Sequence, residues 1–151
     1  MTQKLVVIGA GMASGRVLEH LTENAPDAFD ITLFNTEPRG NYNRIMLSPV
    51  LSGEKTYDEI VTHDDIWYGE RSIACRFNEQ VVQIDTETKV VTGENGAVPY
   101  DKLLIATGSA PFIIPVPGKD LEGVITYRDL DDTNAMIDAS GDGGNAVVIG
   151  G

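Results

Sequence analysis

The chain has 151 residues, of which 42% are hydrophobic, a formal net charge of −12 and one cysteine. This length and composition fit one ordinary α/β domain with a buried core. The acidic charge argues against binding to nucleic acid or anionic membranes, since both need a basic face. One cysteine excludes a disulfide framework, a paired-cysteine redox site and a thiolate metal cluster. The short N-terminal apolar run resembles neither a signal peptide nor a membrane span, so we expect a cytoplasmic protein.

The opening segment predicts a dinucleotide-binding turn. An apolar run at 5–8 is typical of a buried parallel strand, and Gly9-x-Gly11-x-x-Ser14 and helix-forming residues follow it directly. Gly9 allows a tight reversal of the chain, and Gly11 lets a pyrophosphate approach the backbone. The helix that follows presents free N–H groups and its positive dipole end to that phosphate. Ser14 stands where glycine or alanine is usual, and it is small enough for close helix–strand packing.

The next elements continue an α/β pattern. The first helix should end near 24–26, where Pro26 disfavours helix in the residue before it. A second strand is expected at 31–34. Glu37 follows within the ~20-residue interval expected for the acid that hydrogen-bonds a ribose hydroxyl. The alternative interpretation of Glu37 is a solvated loop carboxylate.

The middle of the chain is expected to hold a long loop and short helices. Residues 38–52 have an irregular pattern, and a loop of this length is usually functional or mobile. Thr56 and Glu59 have the spacing of a capping box. A further short helix is expected at 64–70.

Short β-type runs come next. They lie at 73–77, 81–84, 89–92 and 97–100. The turn at 94–96 predicts a hairpin between the last two, so we expect a small antiparallel meander near residues 73–100.

Three residues with metal-binding or reactive side chains have no partner at a useful spacing. His20 and His63 are expected at the surface or at helix ends rather than as metal ligands. Cys75 is expected to be an inert thiol in a strand.

The last third returns to the α/β pattern. A continuous apolar strand is predicted at 103–106, and a second strand at 125–128. Asp129 is placed to cap a helix that runs to about Ala139. Residues 147–150 repeat the V-V-I-G pattern of residues 6–9, which predicts a strand at 146–149 and the start of a second dinucleotide turn. The alternative is a flexible glycine tail on a complete domain.

Three segments carry a family resemblance. They are V-V-I-G-A-G-M-A-S-G-R at the start, N-Y-N-R-I-M-L-S-P-V-L-S-G-E-K-T at 41–56, and Y-D-K-L-L-I-A-T-G-S-A-P at 100–111. With them the chain resembles the FAD-binding part of pyridine-nucleotide-dependent flavoprotein reductases, most closely the large subunit of assimilatory NAD(P)H nitrite reductase. The fold implied is Rossmann-like α/β, with a central parallel sheet, helices on its faces and the small meander. The domains implied are an FAD-binding first segment at 1–140 and the start of a truncated NAD(P)-binding domain at 141–151.

The resemblance also implies which residues bind FAD. The pyrophosphate turn is matched by Gly9, Gly11, Met12, Ala13 and Ser14. Glu37 matches the acid that binds the adenosine ribose, and Val82 matches a strand residue whose backbone meets the adenine. Arg44 matches an arginine that contacts the flavin nucleotide, and Arg128 matches a further FAD-contacting arginine. Ala106, Thr107 and Gly108 match the A-T-G segment that returns the chain past the cofactor. No catalytic acid, base or nucleophile is implied, because hydride transfer to flavin needs none.

The activity implied is nitrite reduction to ammonium. A hydride would pass from NAD(P)H to FAD, and electrons would continue through an iron–sulfur cluster to sirohaem. Those centres, the NAD(P) site and a small subunit or electron-acceptor domain would lie outside these 151 residues. We therefore expect the isolated chain to have little or no reductase activity.

Other interpretations stay open at this point. A rubredoxin- or ferredoxin-reductase relative would share the fold and the A-T-G segment. A non-enzymatic NAD-sensing Rossmann module is a third possibility, although it would need neither that segment nor the long loop after 38. A structural role without a ligand is the simplest alternative.

Overall fold

A computed structural model describes residues 2–141 and 143–150. It divides into two compact units, each discontinuous in sequence. The first contains Met1–Asn43 and Val61–Gly108, and the second contains Arg44–Ile60 and Ser109–Gly151. The domain limits proposed from the sequence, 1–140 and 141–151, stay a prediction.

The first unit contains two sheets. The described residues form seven strands: β1 (Gln3–Ile8), β2 (Phe29–Phe34), β3 (Ala74–Arg76), β4 (Val81–Asp85), β5 (Val90–Gly93), β6 (Gly96–Pro99) and β7 (Lys102–Ile105). A four-stranded parallel sheet has the order β3-β2-β1-β7, and a three-stranded antiparallel sheet has the order β4-β5-β6. The parallel sheet and the small antiparallel meander agree with the predicted fold class.

The described residues form four α-helices. They are α1 (Met12–Asn24), α2 (Leu47–Leu51), α3 (Asp65–Glu70) and α4 (Leu130–Ser140). Helix α1 ends just before Pro26, as predicted. Helices α3 and α4 begin at aspartate caps: Asp64 accepts from the N–H of Trp67 at 2.8 Å, and Asp129 accepts from the N–H of Asp132 at 2.9 Å.

The last four residues of β1, Leu5–Ile8, are apolar because both faces of the strand are covered there. Leu5 and Val7 pack with Leu18 of α1 and Tyr68 of α3, whereas Val6 belongs to a separate cluster. That second cluster also contains residues of the antiparallel sheet. Helices α1 and α3 therefore cover one face of the parallel sheet and the meander covers the other.

One strand prediction put a segment in the wrong sheet. The sequence assigned 73–77 to the meander, but β3 pairs parallel to β2, with Leu33 opposite Cys75. The choice depends on which strand edge is available, and this information is not present in the local sequence. Only β4, β5 and β6 form the meander, with a two-residue turn at Glu94–Asn95.

Two predicted strands, 125–128 and 146–149, are absent from the described residues. A strand needs hydrogen-bonding partners on a neighbouring strand, and neither segment pairs with another strand among the described residues. Residues 125–128 instead lead into α4, where the N–H of Arg128 donates to Asp132 Oδ2 at 2.7 Å.

The second unit packs two helices together. Contrary to the predicted irregular loop, residues 44–51 are helical: a 3₁₀ turn at Arg44–Met46 continues into α2, which packs against α4. The predicted capping box occurs before a short 3₁₀ turn, where the Glu59 carboxylate accepts from the N–H of Thr56 at 2.7 Å. Within residues 2–141 and 143–150, no helix is both long and apolar enough to cross a bilayer.

Candidate dinucleotide-binding site

The glycine turn after β1 lies where the strand order of the parallel sheet reverses. β1 pairs with β2 on one side and with β7 on the other, so the chain leaves β1 at a topological switch point. In open parallel sheets, ligands bind at this point, beyond the carboxyl ends of the strands. Three predicted segments meet that edge: the glycine turn, the segment that carries Glu37, and Ala106–Gly108.

Gly9 is required by its conformation and its surroundings. Its φ is +101°, and a Cβ there would overlap the carbonyl oxygen of Ala106. Its N–H donates to the carbonyl of Phe34 at 2.7 Å, while the N–H of Ala106 donates to Ile8 at 2.8 Å. The turn is thus held against both neighbouring strands.

The start of α1 offers backbone donors to an anion. The first helical bond is from the N–H of Gly15 to the carbonyl of Gly11, at 2.9 Å. The N–H groups of residues 11–14 therefore have no partner within the helix. A Cβ on Gly11 would project into open space, and Ser14 is fully buried, with its hydroxyl donating to Gly11 O at 3.0 Å. A pyrophosphate group fits these donors and this open approach.

Glu37 is fixed rather than freely solvated. Its side chain is 12% exposed and lies 3.7 Å from Arg39 Nη1. The buried Tyr42 donates its hydroxyl to Glu37 Oε2 at 2.8 Å. A carboxylate held at the end of β2 is suited to accept hydrogen bonds from ribose hydroxyls.

Asn35 belongs to this region and was missed by the sequence analysis. Its side-chain oxygen accepts from the N–H of Ala10 at 3.3 Å. Its amide nitrogen donates to the carbonyls of Glu37 at 3.4 Å and Arg39 at 2.9 Å. The only sequence signal was a polar residue directly after an apolar strand.

The remaining predicted residues lie in three places. Ala106, Thr107 and Gly108 follow β7, and Thr107 and Gly108 are exposed. Val82 lies in the antiparallel sheet with 61% of its surface exposed.

Arg44 and Arg128 lie in the second unit. They are 84 residues apart in sequence, yet Arg44 Nη1 donates to the carbonyl of Arg128 at 3.3 Å. The structure therefore brings the two predicted arginines together.

His63 is buried, so the expected surface position is wrong, whereas the expected helix-end position holds, since His63 directly precedes the N-cap of α3. It is 3% exposed, and its Nδ1 accepts from the Asn41 amide at 3.1 Å. Its Nε2 donates to Glu19 Oε1 at 2.9 Å. The only tryptophan, Trp67, lies with its ring centroid 4.0 Å from that of His63.

The hydrogen bonds of Glu19 with Arg16 and His63 affect the titration of this carboxylate in α1. Hydrogen bonds from Arg16 first, and then from His63, hold the pKa of Glu19 below its usual value of 4.5. Among the residues that the structure describes, no group of three or more His, Cys, Asp or Glu side chains could hold a metal ion. His20 is exposed, as expected.

Cys75 has the character expected from the sequence. It lies in β3, and burial, together with the nearby Asp65, raises its thiol pKa to about 12. A thiol protonated at neutral pH is a poor nucleophile.

The fold and the site define a class: a Rossmann-like domain of the FAD- and NAD(P)-binding oxidoreductases. Among solved structures, NADH:rubredoxin oxidoreductase from Clostridium acetobutylicum superposes with a TM-score of 0.80 at 27% identity, covering 93% of this chain and 36% of that one. The family model for pyridine nucleotide-disulphide oxidoreductase matches residues 3–151. The chain belongs to this family, whose members bind FAD and NAD(P)H.

Two curated relatives from Bacillus subtilis (strain 168) are more similar in sequence to this chain than that solved structure is. "Nitrite reductase [NAD(P)H]" is 47% identical over 150 residues, which cover 99% of this chain and 19% of that protein. "Assimilatory nitrate reductase electron transfer subunit" is 41% identical over 149 residues, covering 98% of this chain and 19% of that protein. The chain thus spans about a fifth of the length of these relatives.

Proposed function

We propose that this chain binds FAD as part of an NAD(P)H-dependent nitrite reductase. The observation that carries the FAD proposal is the convergence at one sheet edge of an open helix start and a fixed carboxylate. The 47% identity to a protein named nitrite reductase supports the choice among family activities. The similarity to an NADH:rubredoxin oxidoreductase keeps a rubredoxin- or ferredoxin-reductase function as the second candidate.

Each part of the cofactor has a proposed set of ligands. The pyrophosphate would be held by the backbone at Gly9, Gly11, Met12, Ala13 and Ser14. The adenosine ribose would be held by Glu37, the adenine by the backbone of Val82, and the remainder of the nucleotide by Ala106, Thr107, Gly108, Arg44 and Arg128. Local donors of this kind matter because a net charge of −12 opposes a dianionic cofactor.

The protein groups named here bind and orient the cofactor. When bound, FAD would supply the capacity for hydride acceptance and for single-electron transfer. In the full reaction nitrite would be reduced to ammonium at an iron–sulfur and sirohaem centre, for which one cysteine is too few ligands. That centre, and an electron-acceptor domain or small subunit, would be supplied by other sequence.

The FAD proposal is tested by titrating the purified protein with FAD and following the flavin spectrum. Wild-type protein should bind FAD, and Glu37→Gln should weaken binding about tenfold because a charge-assisted hydrogen bond becomes neutral. Glu87→Gln is the matched control, since Glu87 is exposed in the turn between β4 and β5. Binding of NAD without FAD would favour an NAD-sensing module, and binding of neither would refute the FAD proposal.

A further inference from the structure

Asn35 joins the two halves of the proposed site. Its side chain accepts from Ala10, inside the glycine turn, and donates to the carbonyls of Glu37 and Arg39. This one side chain therefore links the glycine turn to the Glu37 segment. The residue is 9% exposed, so water competes little for these bonds.

The backbone of Asn35 is itself fixed. Its N–H donates to the carbonyl of Arg76 at 3.0 Å, and its carbonyl accepts from the N–H of Glu79 at 3.0 Å. The N–H of Asn78 donates to the carbonyl of Glu37 at 3.1 Å. The backbone of Asn35 is therefore anchored to the end of β3 and to the chain that leads into β4. It holds the side chain in place independently of both halves of the site.

An asparagine side chain is suited to this position because it carries an acceptor and two donors on one planar group. Aspartate would present an acceptor to the carbonyls of Glu37 and Arg39, and a hydrophobic side chain would leave the N–H of Ala10 without a partner. The bond from Ala10 also orients the first peptide groups of the turn. It leaves the N–H groups of residues 11–14 for an anion.

We propose that Asn35 is a positioning residue that fixes the distance between the pyrophosphate turn and the ribose carboxylate of Glu37. This inference rests on the proposed function. It makes Asn35 a determinant of affinity for ligands that contain both an adenosine and a pyrophosphate, such as FAD and ADP. Ligands that engage only one half gain nothing from that fixed distance.

The test measures how Asn35→Ala changes the binding of whole ligands, which span both halves of the site (FAD and ADP), and of half ligands, which fill one half (adenosine and pyrophosphate). Affinities for FAD, ADP, adenosine and inorganic pyrophosphate are measured by titration, with NMR chemical shifts for the weak ligands. ADP and FAD should bind about tenfold more weakly, because the three side-chain hydrogen bonds that hold the two segments in place are lost. Adenosine and pyrophosphate should each change less than about twofold, because each half keeps its own contacts.

Two further variants keep the test interpretable. Asn24→Ala is the matched control, since Asn24 also donates its amide to a backbone carbonyl, that of His20 at 2.7 Å, at the far end of α1. Asn35→Ser serves if Asn35→Ala fails to fold, since a hydroxyl keeps a polar group with donor and acceptor capacity at the buried position. Circular dichroism and Trp67 emission establish that each variant is folded.

The outcomes separate this inference from the proposed function. A selective loss of ADP and FAD affinity supports it. Equal losses for whole and half ligands indicate general damage and overturn it, as does unchanged ADP affinity. If wild-type protein binds neither FAD nor ADP, the proposed function itself fails.

Discussion

Gly15→Ala offers a direct test of how α1 packs against the segment that follows β2. Gly15 is in the second turn of α1, and a Cβ there would overlap Asn41 Nδ2 and lie 3.0 Å from His63 Cε1. Helix propensity alone favours alanine over glycine by about 1 kcal/mol. The steric contact opposes that gain, because Asn41 and His63 are both buried and hydrogen-bonded to each other.

The balance can be worked from typical costs. Overpacking a well-packed interior costs about 1–3 kcal/mol, and separating the buried Asn41–His63 pair adds about 1–3 kcal/mol. Subtracting the propensity gain leaves a net destabilisation of about 1–5 kcal/mol. For a chain of this size each kcal/mol lowers the melting temperature by roughly 2–4 °C.

The assay is urea unfolding followed by the emission of Trp67, whose ring packs against that of His63 and so reports on the first unit. Gly69→Ala is the matched control: Gly69 is helical, and its Cβ would meet nothing within 4 Å. It should be neutral or stabilising by up to about 1 kcal/mol. In an Asn41→Ala background, Gly15→Ala should lose most of its cost, because the main overlapping atom is gone.

Equal or greater stability of Gly15→Ala than of wild-type protein would refute this account. So would an undiminished cost in the Asn41→Ala background, since the damage would then arise elsewhere.

Three further predictions follow from the same geometry. Gly9→Ala should destabilise the first unit by at least about 2 kcal/mol, because it combines a positive φ with overlap on Ala106; an unchanged urea midpoint would contradict it. The pKa of Glu19 is lowered mainly by its hydrogen bond with Arg16, so this carboxylate contributes stability that is present above pH 4.5 and lost as the pH falls below it. The difference in unfolding free energy between wild type and Glu19→Gln should therefore shrink in acid. A difference that stays constant from pH 7 to pH 3 would exclude this. Cys75 should resist alkylation by iodoacetamide at pH 8 in folded protein and react after unfolding in urea, and rapid labelling of the folded state would show that the thiol is accessible and ionised.

Local features of the chain could be predicted from the sequence because their causes lie within a few residues. The glycine turn needs only Gly9 and Gly11 between a strand and a helix. The aspartate caps at Asp64 and Asp129 act on N–H groups three residues away. Strand β1 was evident because burial on both faces leaves a continuous apolar run.

Non-local features needed the tertiary structure. His63 interacts with Glu19, 44 residues earlier, and with Asn41, 22 residues earlier. Asn35 reaches Ala10 across 25 residues. Neither spacing has a local signature, so the sequence predicts neither the burial of His63 nor the role of Asn35.

The glycine turn, the aspartate caps and the apolar run of β1 can be predicted from the local sequence. The tertiary structure alone decided which β-type segments pair and which polar side chains become buried. The physical reason is that a strand is completed only by a neighbour: β3 found an open edge beside β2, whereas 125–128 and 146–149 have no partner strand among the described residues. Buried polar groups likewise depend on partners that folding brings together from distant parts of the chain.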